Sequence, residues 1–229
     1  MKEYIPGSDG SEKLCILMIA PQPWFQPRGT PFSVLHRIKA LSILGHKIDL
    51  VTYHIGQDVP IDNLTIHRAK KVPFINNIKI GPSLPKIFLD VALYVKAVEL
   101  LERNEYDYLH THEEAAFFGI PLAQKYGLPH LYDMHSSLPQ QLGNFKFSRS
   151  KALIGLFEAL ERRTIEKSAG VITICPELQD YVEKHFPQQT SILIENVADN
   201  SIVFPPTDAK EQVLKKQYSL NGEKIVLYY

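Results

Sequence analysis

The sequence predicts an α/β protein built on a doubly wound parallel sheet. Short, almost continuously apolar runs recur along the chain, and longer stretches with helical periodicity separate most of them. Runs without alternating polar residues are typical of strands that are buried on both faces, as in parallel sheets covered by helices. Because strands and helices alternate along the chain, successive strands are expected to run in the same direction.

Seven apolar runs are predicted to form the strands of one sheet. Each is four to seven residues long and is followed by polar residues, glycine or proline. They are Leu14–Ala20, Lys47–Tyr53, Leu64–His67, Tyr106–His110, His130–Met134, Val171–Ile174 and Ser191–Ile194.

Five intervening stretches are predicted to form helices. They are Pro31–Leu44, Pro85–Arg103, Glu114–Tyr126, Lys151–Ser168 and Pro176–Phe186. The start of the first helix is the best specified. Thr30 suits the N-cap, and Pro31 suits the first helical position because its nitrogen needs no partner there.

The domain organisation predicted from the sequence is one complete domain and the beginning of another. Residues 1–12 form a polar leader, and residues 13–199 hold all seven strands. Residues 200–229 contain a proline-rich linker, a short helix and the apolar run Lys224–Tyr229. That run has the character of a buried strand with nothing after it to cover it, so we expect it to begin a second, truncated domain.

Composition excludes several classes of function. Basic and acidic residues both number 25, so no global field favours nucleic acid. Cys15 and Cys175 lack the close spacing of zinc or redox motifs, and we interpret them as reduced residues of a cytoplasmic protein. The longest apolar run, Leu14–Ala20, is too short to cross a bilayer, and no signal peptide is expected.

The loop after the first strand is a candidate ligand-binding segment. Gly29 would let the backbone approach a ligand closely, and free amides at the following helix start, with Arg28 and Thr30 beside them, would favour phosphate. The loop lacks the G-x-G-x-x-G fingerprint of dinucleotide-binding folds. The alternative is a rigid connection that binds nothing.

Two histidines and a glutamate follow the fourth strand. His110 and His112 are two residues apart, so their side chains should point the same way, with Glu113 just beyond. The carboxyl ends of parallel strands are where open α/β sheets bind ligands. The pair can be a substrate contact, ordinary strand-end residues or metal ligands.

His135, after the next strand, should open into the same cleft. His110 and His112, taken with Asp133 and His135, resemble the metal cluster of amidohydrolases. A metal-dependent hydrolase is therefore an alternative. The ends of the later strands offer no further histidine or aspartate ligand, which argues against that alternative.

The segment from Asn63 to Leu89 contains five basic residues and no acid. Its lysines alternate with apolar side chains such as Phe74 and Ile78. Such a segment could lie on an anionic membrane or hold a phosphorylated acceptor. The simpler interpretation is a solvated loop before a helix.

These motifs, in this order, resemble the N-terminal half of retaining glycosyltransferases of family 4, which have the GT-B architecture of two Rossmann-like domains. The resemblance covers almost the whole chain from Lys13. The segments that carry it are the Gly29 loop, Gly45–Thr52, Asp107–His112, Asp133–His135, Glu158–Arg162 before Ala169–Cys175, Ile194–Asp199 and Phe204–Pro205.

The resemblance implies transfer of a sugar from a nucleotide-activated donor to a hydroxyl of a glycan or a lipid-linked acceptor, with retention and without a metal cofactor. His112 would be the active-site histidine. The Gly29 loop would border the donor phosphates, and His135 and Asn196 would line the cleft. The C-terminal half would bind the nucleotide, so a chain ending at Tyr229 is expected to be inactive alone.

Two other interpretations keep the fold. One is a noncatalytic domain that binds a glycan, an acceptor or a separately encoded catalytic half. The other is a nonhydrolysing sugar-nucleotide epimerase of the same architecture. In each case we expect a cytoplasmic location, with peripheral contact at the inner membrane face as an option.

Overall fold

The computed structural model of the chain describes residues 13–26, 29–75, 78, 84–137, 139 and 151–195. Seven strands in these ranges form one sheet in the order β3-β2-β1-β4-β5-β6-β7, and every neighbouring pair is parallel. The predicted fold class is therefore confirmed. The strands are β1 Cys15–Ala20, β2 Lys47–Thr52, β3 Leu64–Arg68, β4 Tyr108–His112, β5 His130–Met134, β6 Gly170–Thr173 and β7 Ser191–Leu193.

Five long helices in the described ranges cover the two faces of the sheet. They are α1 Gly29–Ile43, α2 Leu84–Arg103, α3 Ala115–Tyr126, α4 Lys151–Lys167 and α5 Pro176–His185. The alternation of side chains along β1 decides which helix packs where. Ile16 and Met18 pack with α1, whereas Leu17 and Ile19 pack with α2 on the other face.

The burial of β1 reflects its position in the interior of the sheet. Five of its six residues are buried, and it pairs with β2 on one side and β4 on the other. Full burial of each large aliphatic side chain contributes about 1.5–3 kcal/mol. The order of strands reverses direction at β1, so the crevice between the carboxyl ends of β1 and β4 is the topological switch point of the sheet.

Most element boundaries lie within two residues of the predictions, and two differences bear on function. Strand β4 begins at Tyr108 and continues to His112 rather than ending at His110. Thr111 and His112 pair with Tyr132 and Asp133 of β5, so the ladder satisfies their backbone although their side chains are polar. The apolar criterion used on the sequence ended the strand too early.

The prediction that Thr30 caps the first helix is wrong. Helix α1 begins at Gly29, which places Thr30 inside its first turn. The Thr30 hydroxyl donates instead to Glu113 Oε1 at 3.0 Å, a residue 83 positions away in the chain. A tertiary partner therefore replaces the local cap.

Residues 1–12 and 196–229 lie outside the described residues. The domain boundary near Asp199, the linker and the strand Lys224–Tyr229 stay predictions. In the part of the chain that is described, no helix combines the length and apolar character needed to cross a membrane.

Candidate functional site

A cluster of three histidines and one aspartate lies at the switch point. His110 and His112 project from the same face of β4, with their rings stacked at 4.7 Å between centroids. His112 is the register partner of Asp133 on β5, and His135 follows directly after that strand. The four side chains have exposed fractions of 4% or less. The predicted histidines are thus brought together in one site.

Short distances connect the members of this cluster. His112 Nδ1 lies 3.0 Å from His135 Nε2, so one of these nitrogens carries the proton that the other accepts. Asp133 Oδ2 lies 3.5 Å from His110 Nε2 and 3.6 Å from His112 Nδ1, and Asp133 Oδ1 lies 3.3 Å from His135 Nε2. Asp133 is the common neighbour of all three rings.

Arg37 completes the site, and sequence reasoning missed it. Its Nε donates to Asp133 Oδ2 at 3.0 Å, and its Nη2 donates to the carbonyl of Ile194 just after β7. The signal in the sequence was weak but present, because Arg37 lies between Val34 and Ile38 on the buried stripe of α1. A charge on such a stripe predicts a buried partner.

The electrostatics of the cluster keep the imidazoles of His112 and His135 neutral. Burial lowers the pKa of His112 well below its usual value, and Arg37 adds to the lowering while Asp133 opposes it. Burial and Arg37 lower the pKa of His135 in the same way. Burial alone would raise the pKa of Asp133, but the histidines that face it hold that pKa below its usual value. Asp133 is therefore a carboxylate beside two neutral rings, those of His112 and His135.

Several ring nitrogens of the cluster have no hydrogen-bond partner. Among the described residues, His110 Nδ1 and His112 Nε2 are buried and make no hydrogen bond, and His110 Nε2 has only the long 3.5 Å approach to Asp133 Oδ2. Leaving a buried donor or acceptor unsatisfied costs about 1–3 kcal/mol. Buried unpaired groups at a switch point indicate a place where a ligand supplies the missing partners.

A second group of charged side chains lies beside the first. Glu113 has a left-handed backbone (φ 50°) and accepts the Thr30 hydroxyl. Glu114 pairs with Lys86 Nζ of α2 at 2.6 Å, and Asp90 accepts the Tyr53 hydroxyl. This acidic group joins the end of β4 to α1 and α2. Lys86 and Asp90 were also missed by sequence reasoning, since nothing local marks them.

Two carboxyl groups of this acidic group, those of Glu113 and Asp90, hold protons more tightly than usual. Burial, followed by repulsion from Glu114, raises the pKa of Glu113 to about 7. The same two causes raise the pKa of Asp90 to about 7. Carboxyls with such values exchange protons near neutral pH, as general acids and bases do.

The other predicted site residues are placed as follows. A Cβ built on Gly29 meets nothing within 4 Å, so the space that a ligand would approach is open there. Arg28 and Asn196 lie outside the described residues, and their roles stay predictions.

The cluster has some of the features of a metal site. His110, His112 and Asp133 each offer one ligand atom, and these atoms lie within 4.8 Å of one another. However, the Arg37 guanidinium already neutralises Asp133 Oδ2, the oxygen closest to both histidines. A second cation would meet repulsion from Arg37, which argues against a metal.

A groove of about 540 Å³ lies at the opposite edge of the sheet. It is lined by the first residues of β1, β2 and β3 and by the segment before β4, and the histidine cluster does not contribute to it. Because parallel sheets bind ligands at the carboxyl ends of their strands, this groove is not the candidate site.

Similar folds are found in GT-B glycosyltransferases. Sucrose-phosphate synthase from Thermosynechococcus elongatus aligns with a TM-score of 0.68 and 17% identity over 88% of this chain and 53% of its own. A UDP-glucosyltransferase from Polygonum tinctorium aligns with a TM-score of 0.61 and 8% identity over 90% and 57%. Arabidopsis thaliana UGT89C1, complexed with UDP-L-rhamnose, aligns with a TM-score of 0.58 and 13% identity over 93% and 56%.

The sequence itself identifies the family. Residues 27–200 match the family model described as Glycosyltransferase Family 4. The chain therefore belongs to glycosyltransferase family 4. No curated protein sequence matches it, and the chain spans little more than half the length of the three solved structures named above.

Proposed function

We propose that the chain is the acceptor-side part of a hexosyltransferase that works in carbohydrate biosynthesis. It transfers a sugar from a nucleotide-activated donor to a hydroxyl of a glycan or lipid-linked acceptor, with retention of anomeric configuration. The observation that carries the proposal is the buried histidine cluster at the switch point, in which the His112 ring is neutral and its Nε2 has no hydrogen-bond partner. Family membership and the nucleotide sugars named for the UDP-glucosyltransferase and UGT89C1 support it.

In this proposal His112 has the central role. Its Nε2 is buried without a partner, so it can form a hydrogen bond with a hydroxyl of the donor sugar. Because the ring stays neutral, it orients the anomeric carbon without adding charge. His135 fixes the His112 ring through the 3.0 Å contact at Nδ1, and His110 stacks against the His112 ring.

The remaining candidate residues are assigned to the donor phosphates, to a sugar hydroxyl and to the wall of the cleft. Gly29, Thr30 and Arg28 would face the donor phosphates at the start of α1, where free backbone amides favour an anion. Glu113 lies between Thr30 and His112 and would accept a hydrogen bond from a sugar hydroxyl. Asn196 would line the cleft beyond β7. No metal cofactor is part of this proposal, since Arg37 already neutralises the buried aspartate.

The nucleotide-binding part of the enzyme lies outside these residues in this proposal. The solved GT-B structures are almost twice as long as the stretch that aligns with this chain. We therefore expect the 229-residue chain alone to have little transferase activity and to need a second domain in cis or in trans. Both cysteines are free, which supports a cytoplasmic location.

A second candidate keeps the fold without catalysis by this chain alone. A chain that supplies only the acceptor side could act as a noncatalytic glycan-binding domain or as one half of a split enzyme. Reading the coding sequence beyond the codon for Tyr229 distinguishes the two. Continuation into a second domain supports the transferase, and a stop codon supports the binding or split-partner function.

The test of the transferase is an assay of the complete product with a panel of nucleotide sugars. Release of nucleoside diphosphate is measured with and without acceptor extract, and the anomeric configuration of the product is determined by NMR. His112→Ala should reduce turnover by at least about a hundredfold, as expected for loss of a group that positions the reacting centre. His185→Ala removes an exposed histidine of α5 and should leave turnover unchanged.

Three results would contradict the proposal. They are near-normal turnover in His112→Ala, an inverted product, and turnover that is abolished by a chelator and restored by zinc. If that zinc-dependent turnover also proceeds without acceptor, the result would instead support the metal-dependent hydrolase that uses His110, His112 and His135.

A further inference from the structure

The outer face of α2 is apolar where a helix on a sheet usually carries charge. From Ile87 to Val95 every exposed position is apolar or aromatic, with exposed fractions of 57% for Ile87, 64% for Phe88, 57% for Val91 and 58% for Val95. Tyr94 lies beside them at 39%. The charged residues of this stretch, Lys86 and Asp90, are turned toward the acidic group instead. We call Ile87, Phe88, Val91, Tyr94 and Val95 the apolar α2 face.

A turn near this face presents one more aromatic ring to solvent. Phe74 is 100% exposed and has a left-handed backbone (φ 67°), which is unfavourable for a bulky side chain. The turn is held from both sides. Ile75 N donates to the Val72 carbonyl at 3.4 Å, and His54 Nε2 lies 3.0 Å from the Ile75 carbonyl.

The turn and the helix share one core. Val72 and Ile75 pack against the same hydrophobic cluster as Leu89 and Leu93, the buried residues of α2. Phe74 and the apolar α2 face therefore lie on the same side of the sheet. A strained backbone that exposes an aromatic ring beside an apolar helix face costs free energy in water, and such strain persists where it serves function.

Positive charge lies close to Phe74 along the chain. Lys70 and Lys71 are both exposed, and they are the two residues between buried Ala69 and Val72. From Asn63 to Leu89 the sequence contains no acid. The acids of α2 within and just after this face are paired, Asp90 with the Tyr53 hydroxyl and Glu99 with Lys96 and Arg103. The surface thus offers lysines and apolar side chains with little free negative charge.

We propose that the apolar α2 face, Phe74 and the lysines Lys70 and Lys71 form a docking surface for an anionic lipid bilayer. Apolar side chains inserted at the headgroup boundary and basic side chains above it are the two elements of peripheral binding. A second copy of the chain fits less well, because a symmetric dimer would bring Lys70 and Lys71 of both copies to the same interface. The inference stands apart from glycosyl transfer.

Vesicle flotation of the purified 229-residue chain tests this inference. The chain should float with vesicles containing about one third phosphatidylglycerol and stay at the bottom with phosphatidylcholine alone. Val91→Glu places a charge on the apolar α2 face and should weaken partitioning at least about tenfold. Ile43→Glu is the matched control, since Ile43 is 85% exposed at the end of α1 and should tolerate the change.

The lysines have their own matched pair of variants. Lys70→Gln combined with Lys71→Gln should weaken partitioning about thirtyfold, since each lysine near an anionic surface contributes about a factor of five. Lys167→Gln combined with Lys184→Gln removes two exposed lysines from α4 and α5 and should change nothing.

Fluorescence of Phe74→Trp keeps the test informative if a charged variant fails to fold. The sole native tryptophan, Trp24, is fully buried, so a new tryptophan at position 74 reports its own environment. Its emission should move to shorter wavelength with anionic vesicles and be quenched by brominated lipid. Ile43→Trp should show neither effect.

Two results would overturn the inference. One is absence of flotation together with an emission spectrum of the Phe74→Trp variant that anionic vesicles leave unchanged. The other is a concentration-dependent dimer that Val91→Glu, but not Ile43→Glu, converts to a monomer. The second result would assign the surface to a copy of the chain.

Discussion

At the residue scale, Arg37 adds to the effect of burial on how the histidine cluster is charged. It is the cation of a buried pair with Asp133, whose side chain is fully buried, while its own side chain is 11% exposed. Its charge also lowers the pKa values of His112 and His135. Arg37 touches the carboxylate rather than the predicted substrate space, so it acts as a positioning residue for the two rings.

We predict that Arg37→Met lets the cluster take up a proton. Without the guanidinium, the buried Asp133 carboxylate needs another cation, and the pKa of His112 or His135 should rise. The ¹⁵N chemical shifts of the histidines, followed from about pH 5 to pH 8, should show an imidazolium that wild type lacks. Removing one partner of a buried pair should also cost about 3–5 kcal/mol of stability.

Two further variants make the Arg37 experiment decisive. Arg37→Lys keeps a positive charge and should leave the imidazoles neutral. Arg103→Met removes an arginine that is 70% exposed and pairs with Glu99 on the surface, and should change neither histidine titration nor stability by more than about 0.5 kcal/mol. Identical histidine titration curves in wild type and Arg37→Met would refute the role.

At the element scale, α3 approaches the sheet closely because of one glycine. A Cβ at Gly119 would lie 2.6 Å from Thr111 Cγ2 of β4 and 2.8 Å from His130 Nε2 of β5. Neither group can move freely, because Thr111 Oγ1 lies 2.8 Å from His130 Nε2 and His130 Nδ1 lies 2.9 Å from Ser168 Oγ. The close packing of α3 therefore depends on the missing side chain.

Thr111, His130 and Ser168 form a buried series of hydrogen bonds, and the position of each proton follows from which group donates. The Ser168 hydroxyl donates to the Thr164 carbonyl at 2.6 Å, so its oxygen accepts from His130 Nδ1. His130 Nε2 is then an acceptor, and the Thr111 hydroxyl donates to it. Neutral His130 satisfies every member, and burial lowers its pKa to about 3.

We predict that Gly119→Val destabilises the protein by about 1–3 kcal/mol through overpacking against these two side chains. Gly155→Val is the matched control on α4, where an added Cβ meets nothing within 4 Å. It should be neutral or stabilising by up to about 0.5 kcal/mol, since valine has the better helix propensity. Urea unfolding of both variants measures the difference, and equal stabilities would show that α3 shifts to make room.

The same elements show what the sequence could and could not predict. Strands such as β1 and β5 were predictable because continuous apolar runs indicate burial without knowledge of the neighbours. The end of β4 was not, because its pairing with β5 outweighs the polarity of Thr111 and His112. His110, His112 and His135 could be predicted to share a site from strand spacing alone. For Arg37 the sequence shows only a charge on a buried stripe and not its partner, because Asp133 lies 96 residues away.

At the scale of the whole molecule, two buried groups respond to pH with opposite signs. His130 has a pKa of about 3 in the folded chain against about 6.5 unfolded, so between these values the unfolded chain binds the extra proton and stability falls as pH falls. Asp90 has a pKa of about 7 when folded against about 3.9 unfolded. Between these two pH values the folded chain binds the extra proton on Asp90, so stability rises as pH falls.

Because these windows overlap between about pH 4 and pH 6.5, each group offsets part of the effect of the other. Each proton taken up by one state alone changes stability by about 1.4 kcal/mol per pH unit. We predict that Asp90→Asn, which keeps an oxygen to accept the Tyr53 hydroxyl, makes stability fall more steeply than in wild type from about pH 6 to pH 5. His130→Gln should make it fall less steeply.

Urea unfolding followed by the fluorescence of buried Trp24 measures both slopes, and Glu102→Gln, which neutralises an exposed carboxylate of α2, provides the comparison. Asp90→Asn and His130→Gln should shift the pH dependence of the free energy of unfolding in opposite directions, by up to about 1.4 kcal/mol per pH unit. That result would show that Asp90 and His130 have opposite effects on stability as the pH falls. Parallel curves for wild type and both variants would mean that these groups titrate alike in the folded and unfolded chains, and that burial does not control their protons.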